Sequence, residues 1–328
     1  MMNFKEIIAD YKRNSNHKHC FYHNHKDCTK KIKKAHSIQK EKILVQLEKE
    51  INGNRMLYSL NSTSADENLS TNGLIPIGKK KASIFTGFCD YHDSKLFSPI
   101  ENFDFNFSDE HLFLLTYRSF AHSFQQIIEI YKYYNSNGDF VKTFPKQYLK
   151  EHIQFTEKRI KELLLYKKVL DNIIQTKDYS ALNYHTRVIE PFVPIASSTI
   201  LSPTYSYKNE YLYPNEKESN VILNVLPDNN RTIIILSHFE KDTKGKILFN
   251  ELADLSINDF TKAISSLMIY CTTNTFFSPS LWDNYTKEEK KQLFKEIDFC
   301  IRFGGSIKKF FISKIDFFRI KITAPNTS

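Results

Sequence analysis

Cys20 and Cys28 lie near the start of this 328-residue chain with seven residues between them, and some sixty residues later comes Gly87-Phe88-Cys89-x2-His92-Asp93. Thiolates and neutral imidazoles hold Zn²⁺ tetrahedrally, and four protein ligands make a closed site that supports structure and leaves chemistry to its neighbours. Cys20, Cys28, Cys89 and His92 are the expected ligands of one structural zinc. Seven intervening residues exceed the usual two to four of a metal knuckle. Cys20-x2-His23 is therefore an alternative first pair, and His17, His19 and His25 are further candidates.

Two residues beside these pairs can do chemistry. Ala35-His36-Ser37-Ile38-Gln39-Lys40 follows the first pair, and Asp93 follows His92 directly. Phosphodiester hydrolysis needs an imidazole near neutral pKa to take a proton from water. It also needs a hard divalent cation, held by carboxylate oxygen, to neutralise the charge that develops. His36 and Asp93 can supply both, with Mg²⁺ or Mn²⁺ as the catalytic ion. Each also has a structural reading: His36 as a buried histidine bonded to a backbone carbonyl, and Asp93 as a first-turn acid favouring the dipole of its own helix.

In the order of these parts the chain resembles the HNH, or ββα-metal, nucleases, in particular the zinc-bearing ones of recombination endonuclease VII type. Those enzymes run from a cysteine knuckle to an acidic-residue-histidine pair on a hairpin, then to C-x2-C followed at once by an asparagine. The resemblance implies a treble-clef fold around Zn²⁺, with His36 as general base. It puts Asp93 in the place of the metal-binding asparagine and His92 in the place of the last zinc cysteine. Ala35 departs from the pattern, which has Asp or Glu there, so a second metal-binding acid must come from elsewhere, Glu101 or Asp90. The likeness covers about residues 18 to 101. A second likeness is to bacterial proteins without assigned activity that carry AHSIQ-type and GFCxxHDxxLFxPIE-type segments.

The formal net charge is +9, and residues 1 to 42 hold eleven Lys or Arg against four Asp or Glu. A basic surface beside a catalytic centre suits a polyanion, because each phosphate contact releases counterions. Lys30, Lys31, Lys33, Lys34, Lys40 and Arg118 are the expected nucleic-acid contacts. The lysine run is equally a solvated face, and an arginine beside aromatic residues often stacks or pairs with an acid. Five cysteines without a secretion signal argue for free thiols or metal ligands, and no apolar stretch reaches the length of a membrane span, so a cytoplasmic protein is expected.

These residues need elements to hold them, and the pattern predicts an α+β chain in three parts. Residues 1–106 form the zinc module, with a helix over 1–13, a helical piece over 43–51, a strand over 56–60, an inserted surface loop over 61–72 and a strand from 81 leading into Cys89. Residues 107–180 form an antiparallel helical hairpin with Ser108 as N-cap. Phe113, Tyr117, Phe120, Phe124, Ile127, Tyr131 and Tyr134 recur at alternating spacings of four and three, the mark of a core stripe or a homodimer seam. Residues 181–328 form an α+β domain of unknown role, with strands over 187–195, 221–225 and 232–238, helices over 257–270 and 287–303, and closing strands over 309–322. Against a nuclease stand two other readings. One is a non-catalytic, zinc-stabilised nucleic-acid- or protein-binding protein, which Ala35 favours. The other is a helical-hairpin dimeriser capped by the zinc knob.

Overall fold

Val221-Ile222-Leu223 and Ile233-Ile234-Ile235-Leu236 offer no polar side chain to water on either face, and such strands need cover on both sides. The structure, a computed structural model, supplies that cover over its described residues, 4–29, 31–63, 74–213, 218–303 and 307–319. In chain order α1 (Phe4–Ser15) precedes β1 (Ile32–His36), β2 (Lys49–Ile51), β3 (Asn54–Thr63), β4 (Leu74–Ile77), β5 (Ile84–Cys89), α2 (Asp90–Leu96) and α3 (Ser98–Asn102). The long helices α4 (Asp109–Tyr134) and α5 (Lys146–Thr176) follow. Then come β6 (Leu182–Ile189), β7 (Ile195–Leu201), β8 (Val221–Asp228), β9 (Arg231–Phe239), α6 (Thr243–Ala253), α7 (Ile257–Tyr270), β10 (Thr275–Phe277), α8 (Pro279–Asp283) and α9 (Lys287–Phe303).

Eight strands form one antiparallel sheet in the order β2-β3-β10-β7-β8-β9-β6, with β4 also paired to β3. Alternation along β8 and β9 divides their side chains between two cores. Ile222, Leu226, Ile233 and Ile235 face the core shared with α4 and the zinc module, while Leu223, Val225, Ile234 and Leu236 face the core shared with α6 and α7. Ser108 caps α4 by accepting from the His111 amide at 3.3 Å. Phe113, Tyr117, Phe120 and Phe124 of the aromatic stripe are buried. On its sheet side α4 is keyed by hydroxyls: Thr116 bonds Ser237 at 2.9 Å, and Ser119 bonds Ser198 at 2.8 Å and Asn224 at 2.7 Å.

Several expectations are corrected. A boundary at residue 106 does not exist, because β2, β3 and β4 leave the zinc module and complete the large sheet, where Leu57 joins one core and Leu60 and Leu74 the other. The helical piece over 43–51 reduces to a single 3₁₀ turn, Leu44–Leu47, before β2. Residues 61–63 of the expected loop belong to β3, and its remainder lies outside the described residues. The strand expected over 187–195 is two strands separated by Glu190–Pro191. The closing strands are not formed over 309–319, since amides there bond side chains: Phe310 to Asn209, Ser313 to Ser266 and Phe317 to Ser265. Residues 320–322 lie outside the described residues. Of the α4 stripe, Ile127, Tyr131 and Tyr134 are half-buried.

Phe120 packs edge-on to Phe239 and beside Phe21, so it links α4 to both the sheet and the zinc module. Phe120→Ala should cost about 3–5 kcal/mol in urea denaturation, independent of protein concentration. A loss below about 1 kcal/mol would contradict the packing described.

Candidate metal centre

β5 is the rail on which the site is assembled. Along one edge it pairs antiparallel with β1, setting Ile32 opposite Cys89 and His36 opposite Ile84. Along the other runs the knuckle: the His19 amide donates to the Thr86 carbonyl at 3.3 Å and the Phe21 amide to that of Gly87 at 2.7 Å. A Cβ on Gly87 would lie 2.4 Å from the Phe85 ring, so any larger residue there requires that ring to move. The strand ends on Cys89, which is the N-cap of α2, and Cys89 and His92 therefore sit one turn apart on the same side.

Cys20, Cys28, Cys89 and His92 converge, with their ligand atoms all within 4.8 Å of one another. His92 Nδ1 lies 3.5 Å from Cys20 Sγ, 3.5 Å from Cys28 Sγ and 3.2 Å from Cys89 Sγ. With Zn–S near 2.3 Å and Zn–N near 2.0–2.1 Å, the S···N edge of a tetrahedron is about 3.5 Å, so the donor set fits zinc. Tyr22 stacks on the His92 ring at 4.1 Å between centroids and fixes its plane. Among the described residues this is the one group of three or more Cys, His, Asp or Glu whose ligand atoms converge. The alternative ligands His17, His19 and His23 stand outside it, and His25 reaches only its rim, 3.6 Å from Cys28 Sγ.

Burial pushes the metal-free Cys28 thiol up to about 12 and also raises that of Cys20. Burial works on Cys89 too, but the amides of His92 and Thr29 outweigh it and lower its pKa.

His36 ends β1 half-buried, with Nδ1 2.8 Å from the Ala82 carbonyl. That contact makes Nδ1 the donor and leaves Nε2 as the free base. Burial lowers the His36 pKa first, aided by Lys40 and Arg118, while the Ala82 carbonyl and the Asp93 charge oppose it. The Asp93 carboxylate, in the first turn of α2, thus acts on His36. Its Oδ2 is ion-paired with Lys33 Nζ at 3.1 Å, and its Oδ1 is buried without a hydrogen-bond partner.

The expected nucleic-acid contacts separate. Lys31 and Lys34 are exposed, Lys33 is engaged with Asp93, and Lys40 pairs with Glu41 at 2.9 Å. Lys30 lies outside the described residues. Arg118 is corrected from a surface contact to a buried one: its guanidinium lies 3.9 Å over the Phe97 ring and donates to Glu101 at 2.6 Å. Of the acids considered in place of Ala35, Glu101 is therefore held by Arg118, and Asp90 stands exposed, 3.9 Å from Lys33.

Sequence reasoning missed the residues that clamp His36. Ser37 donates its amide to the Ser83 carbonyl at 2.9 Å, Gln39 reaches the Ile100 carbonyl, and Asn274 of the distant sheet donates to Ser37 Oγ at 2.9 Å. Ser83 holds a left-handed backbone (φ 53°) that aims its carbonyl at this segment. Polar residues between apolar neighbours were the only available signal. Comparison of the chain with protein-family models, curated proteins and solved structures returned no match.

Raised thiol pKa values mean that Cys20 and Cys28 are protonated at pH 7 before metal arrives, so zinc uptake must expel their protons. Calorimetry in buffers of different ionisation enthalpy should register about two to three protons released per zinc at pH 7, with affinity falling as pH falls. Release of fewer than one would contradict thiolate ligation.

Proposed function

We propose that this chain is a nuclease, a phosphodiester hydrolase acting on DNA or RNA, whose β1–β5–α2 unit is a treble-clef, HNH-like module stitched by structural zinc. The observation that carries this reading is His36. Its Nδ1 is committed to the Ala82 carbonyl, and its Nε2 is left basic. The zinc ligands Cys89 and His92 and the acid Asp93 share a single turn, so the metal that holds α2 also sets Asp93 against β1.

In this mechanism a water placed at His36 Nε2 loses its proton as its oxygen attacks phosphorus in line with the leaving oxygen. The exposed Lys31 and Lys34 contribute the positive field that draws and holds the polyanion. Zinc supplies no reacting atom. A catalytic Mg²⁺ or Mn²⁺ fits the donor set poorly: Ala35 offers a methyl group, Glu101 is held by Arg118, and the Asp93 carboxylate already carries an ammonium. Hard divalent cations collect several oxygen ligands, and here Asp93 and Glu101 are each already ion-paired.

The zinc-stabilised binding protein without catalysis remains the second reading, and Ala35 is the residue that favours it. Plasmid, single-stranded DNA and RNA should be cleaved by the zinc-loaded protein. His36→Ala should reduce the rate about 10²–10⁴-fold with zinc content unchanged. Because burial lowers the imidazole pKa from 6.5, kcat/KM should climb through a midpoint below 6.5 and then level off. Binding without cleavage on any of the three substrates would favour the second reading.

A further inference from the structure

We propose that the cavity bounded by α4 and the β8–β9 hairpin binds a nucleoside, with the base against His111 and the sugar at the rim. This site goes beyond the hydrolase reading, and its occupancy is measured without turnover.

The cavity holds about 370 Å³ where the segment after β1, the N-terminal half of α4 and the β8–β9 hairpin meet. That volume lies in the range of small-molecule sites. Ile43, Leu115, Leu226 and Ile233 are buried along it, and the Phe105 ring stands half-buried beside them. One imidazole enters this apolar hollow. His111 stands one turn before Leu115 on the same face of α4, and both line the cavity. His111 is 4% exposed, and among the described residues its Nδ1 has no hydrogen-bond partner. Leaving a buried polar atom unpaired is costly, and a ligand atom that pairs it recovers that cost. Burial lowers the His111 pKa from 6.5, with Glu110 opposing and Lys42 adding to the shift. The ring is therefore neutral at pH 7 and carries one donor and one acceptor nitrogen.

Such a hollow calls for an occupant with apolar faces and a polar edge. A nucleobase is of this kind: its faces stack on aromatic side chains such as Phe105, and its edge pairs with polar groups such as the imidazole. The rim calls for hydroxyl donors. Asp104 is exposed there, and Arg231 takes one oxygen of Asp228, Oδ2, at 2.9 and 3.0 Å. Ionised carboxylates only accept, and ribose hydroxyls donate to them. The same carboxylates repel a phosphate, and the Lys42 ammonium beside them already donates to the Phe103 carbonyl. The site therefore favours a free nucleoside over its 5′-phosphate and over a nucleic-acid strand.

Isothermal titration of the full chain with adenosine, guanosine, cytidine and uridine in turn tests this. At least one should bind one-to-one with a Kd below about 1 mM, and its 5′-monophosphate should bind more weakly. His111→Phe keeps a ring in the cavity and should weaken binding about tenfold or more. Asp104→Asn, at an exposed position, should weaken it as well. Thermal melting of each variant without ligand verifies that it folds. Absence of saturable binding by all four nucleosides would overturn the inference and leave the hydrolase reading standing. Full affinity in either folded variant, or tighter binding of the monophosphate, would overturn it too.

Discussion

One convergence governs the N-terminal part of this molecule: two sulfurs from the knuckle before β1 meet a sulfur and a nitrogen from the junction of β5 and α2. The chain between Cys28 and Cys89 does not stay near that point. It travels through β2, β3 and β4 into the large sheet and returns, so its ends meet at the Cys3His cluster and its middle is fixed by strand pairing with β10. Closing a loop of this length costs only slowly more than closing a short one, which is why such an excursion is compatible with a single metal clip. The zinc site and the sheet thereby share one core, in which Phe21, Phe88, Tyr117 and Phe120 touch across the boundary expected between domains.

The same architecture orders the charges. Arg118 sits on the buried face of α4, where an unpaired guanidinium would be costly, and Phe97 and Glu101 from the segment after α2 supply its cover and its counter-charge. On the other side of α2, Lys33 of β1 answers Asp93. The helix that carries Cys89 and His92 is therefore flanked by two cations, and His36 lies in the field of Arg118 and Lys40. Those cations and burial together keep the imidazole neutral, while Asp93 works in the opposite direction. The balance favours a base rather than an imidazolium at neutral pH.

Much of this was legible in the sequence where local chemistry decides. The four residues of the Cys3His cluster could be picked out because soft donors are few and their pairs are spaced along short segments. The N-cap at Ser108, the helix over 257–270 and the helix over 287–303 follow from capping and 3.6-residue periodicity. What could not be read was long-range pairing. Nothing in β3 states that Tyr58 and Ser59 pair with Phe277 and Phe276, more than two hundred residues later. The same limit hid Asn274 behind Ser37 and made residues 309–319 look like strands, since an apolar segment whose amides bond serine and asparagine side chains has the same composition as one in a ladder. Arg118 follows the second of its two sequence readings, stacked on Phe97 and paired with Glu101, because an arginine beside an aromatic run finds its cover and counter-charge inside the fold.

X-ray absorption at the zinc edge addresses the central claim most directly, since every placement of His36, Lys33 and Asp93 depends on the tetrahedron that joins the knuckle to α2. The protein purified with its native metal should show about three sulfur neighbours near 2.3 Å and one nitrogen near 2.0–2.1 Å. A shell dominated by oxygen and nitrogen, or one that keeps three sulfurs when Cys89→Ser is introduced, would contradict it.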